Sequence, residues 1–150
     1  MASNSIRERL ILADKVLVSE VYEIKTVKRS MQQYSDLKNF AVTQLPLAAV
    51  VGKLPVVVEN KFVDGQVAQC RSDLRVDIYV YFLEKDREKM DIRISALAED
   101  IWVKVYENPT RSGLCHFTTL KLSDKYGVFD PFVAFNLIVN HQYIHSPGGI

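Results

Sequence analysis

The sequence Leu74-Arg75-Val76-Asp77-Ile78-Tyr79-Val80-Tyr81-Phe82 decides the fold of this chain. Apolar and polar side chains alternate along it, and successive side chains of a β-strand point to opposite faces of a sheet. One face of the strand therefore carries only apolar side chains, and the other carries Arg75, Asp77, Tyr79 and Tyr81. The alternation predicts a strand whose first face lies on a hydrophobic core.

Two segments have the period of an amphipathic helix. Apolar residues recur at steps of three and four through residues 5–21, and the charged side chain of Asp14 is predicted to face solvent. The same period runs through residues 90–105. Asp86 is suited to cap this second helix, and Pro109 ends it because proline cannot donate the backbone hydrogen bond that a continuing helix needs.

Three further strands are predicted around these elements. Residues 56–63 are rich in valine and are followed by Asp64-Gly65, the dipeptide that favours a two-residue hairpin turn. The return strand begins near Gln66 and leads into the alternating strand. Residues 115–122 and 132–143 supply the last two strands, of which the second alternates clearly.

The remaining segments are predicted as irregular or short elements. Residues 35–44 are predicted to form a short helix, and the apolar residues 45–54 a buried connection. A bulge is expected at residues 71–73 and a polar loop at residues 123–127. A flexible C-terminal tail, with turn-forming residues and little to pack, is expected from about residue 145.

These elements together predict an α+β fold. The predicted architecture is an antiparallel sheet of about four strands packed by two main helices, in a single domain that spans residues 1–150. A chain of 150 residues with 48% hydrophobic residues is long enough to bury its own core.

Charge and composition exclude several classes of protein. The 19 basic and 18 acidic residues give a formal charge of +1, which offers no electrostatic basis for nucleic-acid binding. The longest apolar run is too short to cross a membrane, and the N-terminus lacks the pattern of a signal peptide. We therefore predict no membrane partner and no specific nucleic-acid binding.

Residues that often carry catalysis are few and scattered. Cys70 and Cys115 lack a C-x-x-C spacing and are expected to be reduced thiols inside a cell. His141 and His145 lie four apart on a strand, where that separation spans roughly 13 Å, and are predicted with His116 to have structural or incidental roles. No nucleophile motif, phosphate loop or metal-ligand spacing occurs, so we predict no catalytic residue, no cofactor and no metal.

The most enzyme-like fragment is Glu59-Asn60-Lys61. A carboxylate and a lysine two residues apart at the end of a strand are similar to half of the metal site of restriction-type nucleases. Such a site also needs an aspartate on a preceding strand, and the nearest upstream one, Asp36, lies in a predicted helix. A metal-dependent nuclease that uses Glu59 and Lys61 remains a less favoured alternative.

The polar face of the alternating strand is the candidate site. Large aromatic side chains on one face of a sheet are typically covered by another element or by another subunit. Arg75, Asp77, Tyr79 and Tyr81 are therefore candidates for a subunit interface, with cover by a segment of the same chain as the other interpretation.

The order of elements resembles a known family. A leading amphipathic helix, an apolar strand, a hairpin into the strand ending "VDIYVYF", a second helix and a final alternating strand are similar to the tail terminator proteins of long-tailed bacteriophages, the group of the lambda minor tail protein U. The resemblance is one of architecture and length, and the stretches that match best are Ile6–Val21, Leu54–Glu59, Arg75–Phe82, Met90–Tyr106 and Phe132–Gln142.

The resemblance implies a virion structural protein without enzymatic activity. Its copies would form a hexameric ring that caps the tail tube and docks to the head–tail connector, so its partners would be itself, the tube protein and the connector protein. Its location would be the host cytoplasm during assembly and then the virion tail. Another neck or head-completion assembly protein is the alternative within the same class.

Overall fold

The computed structural model describes residues 5–129 and 131–147. Three α-helices, six strands and a 3-10 turn at Val42–Gln44 make up the described part. The helices and strands follow the order α1 Ile6–Ser19, β1 Thr26–Lys28, α2 Tyr34–Leu37, β2 Leu47–Gly52, β3 Val56–Val63, β4 Gln66–Leu83, α3 Arg87–Glu107, β5 Phe117–Phe129 and β6 Phe132–His145.

The six strands form one mixed sheet with the order β1-β2-β4-β6-β5, and β3 pairs with β4 as well. The predicted antiparallel sheet of about four strands packed by two main helices is therefore wrong. β1 lies parallel to β2, and both of these strands were missing from the prediction. β1 has only three residues, so the alternation of Tyr22, Ile24 and Thr26 with charged residues indicates a strand there only weakly. β2 is buried on both faces and lacks the period of two by which a half-buried strand is recognised.

β2 accounts for most of the segment that the sequence predicts to be a connection, residues 45–54. Its alternate residues lie in two different hydrophobic clusters: Ala48 and Val50 on one face of the sheet, Leu47 and Ala49 on the other. The predicted polar loop at residues 123–127 is also wrong, because β5 continues through it with a shift of register.

β4 is the longest strand and pairs with two strands in succession along one edge. Its second half pairs with β2, and its first half pairs with β3. Lys53 N donates to Arg75 O at 2.8 Å, which continues the ladder between the two paired stretches. A shift of register does lie at the bulge predicted for residues 71–73, but its extra residue is on β3: Val58 lies opposite the step from Arg71 to Ser72. A second shift, between Lys61 and Phe62, has its extra residue, Ala68, on β4.

One face of the sheet, here called the inner face, is covered by α1 and α3. The predicted apolar side of the alternating strand lies here and is fully buried, as expected. Burying one aliphatic side chain of this size contributes about 1.5–3 kcal/mol, so this face carries most of the core. The shared core residues of β4 are Leu74, Val76, Ile78, Val80 and Phe82.

The opposite face, here called the outer face, is covered in part by residues 29–46, which we name the cover segment. Leu37 and Leu45 of this segment pack with Tyr81 and Phe132 in a second hydrophobic cluster. The short helix predicted at residues 35–44 is reduced to one turn of α-helix and the separate 3-10 turn.

The C-terminal strand extends further than the sequence predicts. β6 reaches His145, whose side chain is buried and bonded to Ser72, with 2.7 Å between Nε2 and the serine Oγ. The expected tail therefore begins after this residue, and its residues 148–150 lie outside the described part of the chain.

Candidate functional site

The four candidate interface residues do lie on the outer face, but they differ greatly in exposure. Asp77 is 1% exposed and Tyr81 is 2% exposed, whereas Tyr79 is half-buried and Arg75 is exposed. Only the last two are accessible in the chain as described. The predicted role of the four residues in a subunit interface stays a prediction.

Asp77 is buried as one member of a small charged group. Arg75 Nε donates to its Oδ1 at 2.8 Å, and Lys53 Nζ lies 3.6 Å from its Oδ2. The hydrogen bond to the carboxylate raises the pKa of the Arg75 guanidinium. Burial, followed by the nearby Asp77 charge, raises the pKa of the Tyr79 hydroxyl. Two cations thus compensate the buried carboxylate, as a buried charge requires.

Tyr81 belongs to the hydrophobic cluster beneath the cover segment. Its hydroxyl oxygen accepts the backbone N–H of Gln32 at 3.1 Å, and burial raises its pKa. Cover by the same chain is therefore the observed arrangement for this residue. The other half of the outer face has no such cover from the described residues: Ile138 and Asn140 are half-buried, and Phe117 is 55% exposed.

Residues 56–69 form the β3–β4 hairpin at one edge of the sheet, and we name them the arm; its tip, residues 61–69, extends past the end of β6. Every arm residue is exposed except the half-buried Val67. The edge of β3 that faces away from β4 pairs with no strand among the described residues. The exposed apolar side chains of β3 are Val56, Val57, Val58, Phe62 and Val63, each between 45% and 63% exposed.

The nuclease residues lie on the arm. Glu59 forms an ion pair with Arg71 across the hairpin, with 3.4 Å between Oε2 and Nη1. Among the described residues, no group of three or more histidine, cysteine, aspartate or glutamate side chains is placed to hold a metal ion. This geometry gives the nuclease alternative no specific support.

A buried polar cluster that the sequence did not predict joins α1 to β6 and to the segment after α3. Asp14 is 1% exposed, although the sequence predicts it to face solvent. His141 Nε2 lies 2.6 Å from Asp14 Oδ2, and Arg111 Nε donates to Asp14 Oδ1 at 2.8 Å. A signal was present in the sequence: Asp14 falls four residues after Leu10 and four before Val18, on the stripe that the helix buries.

Comparison with known proteins adds no identification to this geometry. No protein-family model matches the chain, and no curated protein sequence matches it either. Among the helices of the described residues, none has the length and apolar character needed to cross a bilayer.

Proposed function

We propose that the protein is a virion structural protein that acts by assembly, as a tail terminator that forms a ring, caps the tail tube and docks to the head–tail connector. The observation that carries the proposal is the arm, which exposes five apolar side chains on a strand with a free edge. The resemblance in the order of elements supplies the class of assembly.

An uncovered arm of this kind is unusual for a protein that works alone. A two-stranded hairpin without a core is marginally stable in water, and a long apolar edge strand is a site of pairing with other chains. The arm has three charged residues to oppose this, Glu59, Lys61 and Asp64. A partner surface therefore explains both the composition and the exposure of the arm.

The free energy that the arm could contribute to association is small for one contact and larger for a ring of contacts. Covering the exposed parts of five apolar side chains would contribute about 5 kcal/mol, at roughly half of the value for full burial of each. The cost of association is of the same order or larger, about 4–15 kcal/mol. A single arm contact is thus weak, whereas a closed ring, in which each copy makes two contacts, gains from closure.

The proposed mechanism is binding, without a chemical step. Copies would join head to tail, with the arm of one copy on its neighbour, and the ring of six would lie in the virion tail after assembly in the host cytoplasm. Another neck or head-completion protein would use the same arm. The two are separated by the partner that the ring binds, which is the tail tube for a terminator.

The proposal is tested by mass in solution. The wild-type chain, measured by light scattering over a range of concentrations, is expected to reach six times its mass of 17.1 kDa. Phe62→Ser combined with Val58→Ser should remain a folded monomer. The matched control is Val103→Ser on α3, because Val103 is 53% exposed and comparable to the arm residues.

Two other outcomes would contradict the ring or the position of its interface. A wild-type chain that stays monomeric at the highest concentration argues against a self-assembling ring. A ring that persists in the arm variant, but is lost in the Val103→Ser control, moves the interface from the arm to α3.

A further inference from the structure

The buried polar cluster extends from Asp14, Arg111 and His141 to a thiol. Thr118 Oγ1 lies 2.9 Å from His141 Nδ1, and Cys115 Sγ lies 3.4 Å from Thr118 Oγ1 and 3.8 Å from His141 Nδ1. The cluster therefore combines residues from α1, β5, β6 and the segment between α3 and β5. Each of its five side chains is at most 5% exposed.

The hydrogen bonds fix the protons of His141. Thr118 has one hydroxyl proton, and its oxygen lies within a short hydrogen bond of Pro109 O, which can only accept. The bond between Thr118 and His141 Nδ1 must then use a proton on the imidazole. Nε2 also needs a proton to donate to the Asp14 carboxylate. His141 is therefore an imidazolium in this arrangement.

The pKa of His141 agrees with this assignment. Burial disfavours the charged imidazolium, but the hydrogen bonds to Asp14 and Cys115 and the charge of Asp14 together outweigh burial and raise the pKa of His141. The cluster then holds two cations, His141 and Arg111, against one carboxylate, Asp14, all of them at most 1% exposed.

An uncompensated charge in such a place is costly. Arg111 adds to this imbalance, because its Nη2 is buried without a hydrogen-bond acceptor among the described residues. Its Nη1 donates to Val105 O at 2.9 Å and to Asn108 O. A negative charge on the Cys115 sulfur would make the cluster neutral.

We propose that Cys115 is held as a thiolate that balances this buried charge, and that it is a site of covalent modification by small peroxides. The thiolate sulfur would attack one oxygen of the peroxide, the O–O bond would break, and the departing hydroxide would take up a proton to give water. The sulfur is oxidised by two electrons to a sulfenic acid, and the peroxide is reduced.

The surroundings of the thiol support both parts of the proposal. Burial raises the pKa of the Cys115 thiol, but the hydrogen bonds of His141 and Thr118 and the charges of His141 and Arg111 outweigh burial and lower it. Cys115 is 5% exposed, and the next residues, His116 and Phe117, are exposed. The third contact of the sulfur, 3.6 Å to Pro109 O, is in contrast one that a protonated thiol would make.

Cys70 serves as a control for the effect of burial on thiol reactivity. Cys70 is 6% exposed and Cys115 is 5% exposed, but Cys70 lies outside the cluster. Cys70→Ser leaves Cys115 as the one thiol, and Cys115→Ser leaves Cys70. The alkylation rate of each folded variant with iodoacetamide, followed by intact mass, reports thiolate content against pH, because the thiolate is the nucleophile.

The rate for Cys115 is expected to stay nearly constant from about pH 8 to about pH 6, where an ordinary thiol with a pKa of about 8.5 would lose roughly a hundredfold. Dilute hydrogen peroxide should add one oxygen at Cys115 before Cys70. A tenfold loss of rate for each pH unit would overturn the proposal.

A second measurement distinguishes alkylation that is slow because the thiol is buried from alkylation that is slow because the thiol is protonated. The ultraviolet absorbance of the thiolate, taken as wild type minus Cys115→Ser, does not depend on access to a reagent. It should persist at about pH 6 if Cys115 is ionised. Absorbance that appears only at or above the pKa of an ordinary thiol, about 8.5, would show that the sulfur is protonated at neutral pH. Its contact with Pro109 O allows this.

Discussion

Replacing Tyr81 tests whether the cover segment is an integral part of the fold. The side chain is 2% exposed and packs in the second hydrophobic cluster with Leu37 and Leu45. Tyr81→Ser removes a buried aromatic ring and leaves a cavity, so it should lower the free energy of unfolding by about 3–5 kcal/mol. Tyr81→Phe keeps the ring and removes only the oxygen that accepts the N–H of Gln32, a loss of about 0.5–1.5 kcal/mol.

Urea unfolding of the three proteins measures these differences, and Tyr79→Ser is the matched control. Tyr79 lies two residues away on the same strand and the same face but is only half-buried, so its loss should be smaller, about 1–2 kcal/mol. Limited proteolysis should also cut residues 29–46 faster in Tyr81→Ser than in the control. Equal unfolding midpoints and equal cleavage for the two serine variants would refute the assignment of Tyr81 to the core.

Three further predictions concern α1, α3 and the buried cluster. Gly52→Ala places a Cβ 2.2 Å from Ile11 Cδ1 and should cost about 1–3 kcal/mol; adding Ile11→Val should restore part of this loss, and additive losses in urea unfolding would contradict the contact. Asp86→Ala removes a carboxylate that accepts two backbone N–H groups at the start of α3 and should cost about 1 kcal/mol in thermal unfolding, with the exposed Asp91→Ala near neutral. Because the pKa of His141 is raised, its stabilising contribution is complete below about pH 6.5 and declines as the pH rises through the raised value; His141→Gln should lack this decline, and an identical pH profile of urea unfolding in both proteins would count against it.

The sequence predicts those elements in which one face is buried and the other is not. The alternation in residues 74–82 and the helical periods of α1 and α3 arise from half-buried surfaces, and all three elements are found. β2 has no such alternation because both of its faces are covered. In the cover segment, the spacing of Leu37, Phe40 and Ala41 predicts a short helix but does not indicate which face of the sheet it packs against.

The buried cluster shows a different reason for a missed feature. The sequence predicts Asp14 to face solvent, and charged side chains are rarely buried unless they are paired. Its partners, Arg111 and His141, lie 97 and 127 residues away in sequence. Arg111 and His141 come close to Asp14 only in the observed order of strands. The predicted sheet of about four strands did not specify this order.

β4 belongs both to the core and to the arm. Residues 74–83 of this strand lie in the core and beneath the cover segment, while its first residues build the arm. One continuous strand therefore holds the arm at a fixed direction relative to the core, without a flexible joint. The three residues of β3 after Asn60 extend about 10 Å past the end of β6. A tip that lies on a neighbouring copy would join different surfaces of successive copies, which is the kind of contact that the proposed ring requires.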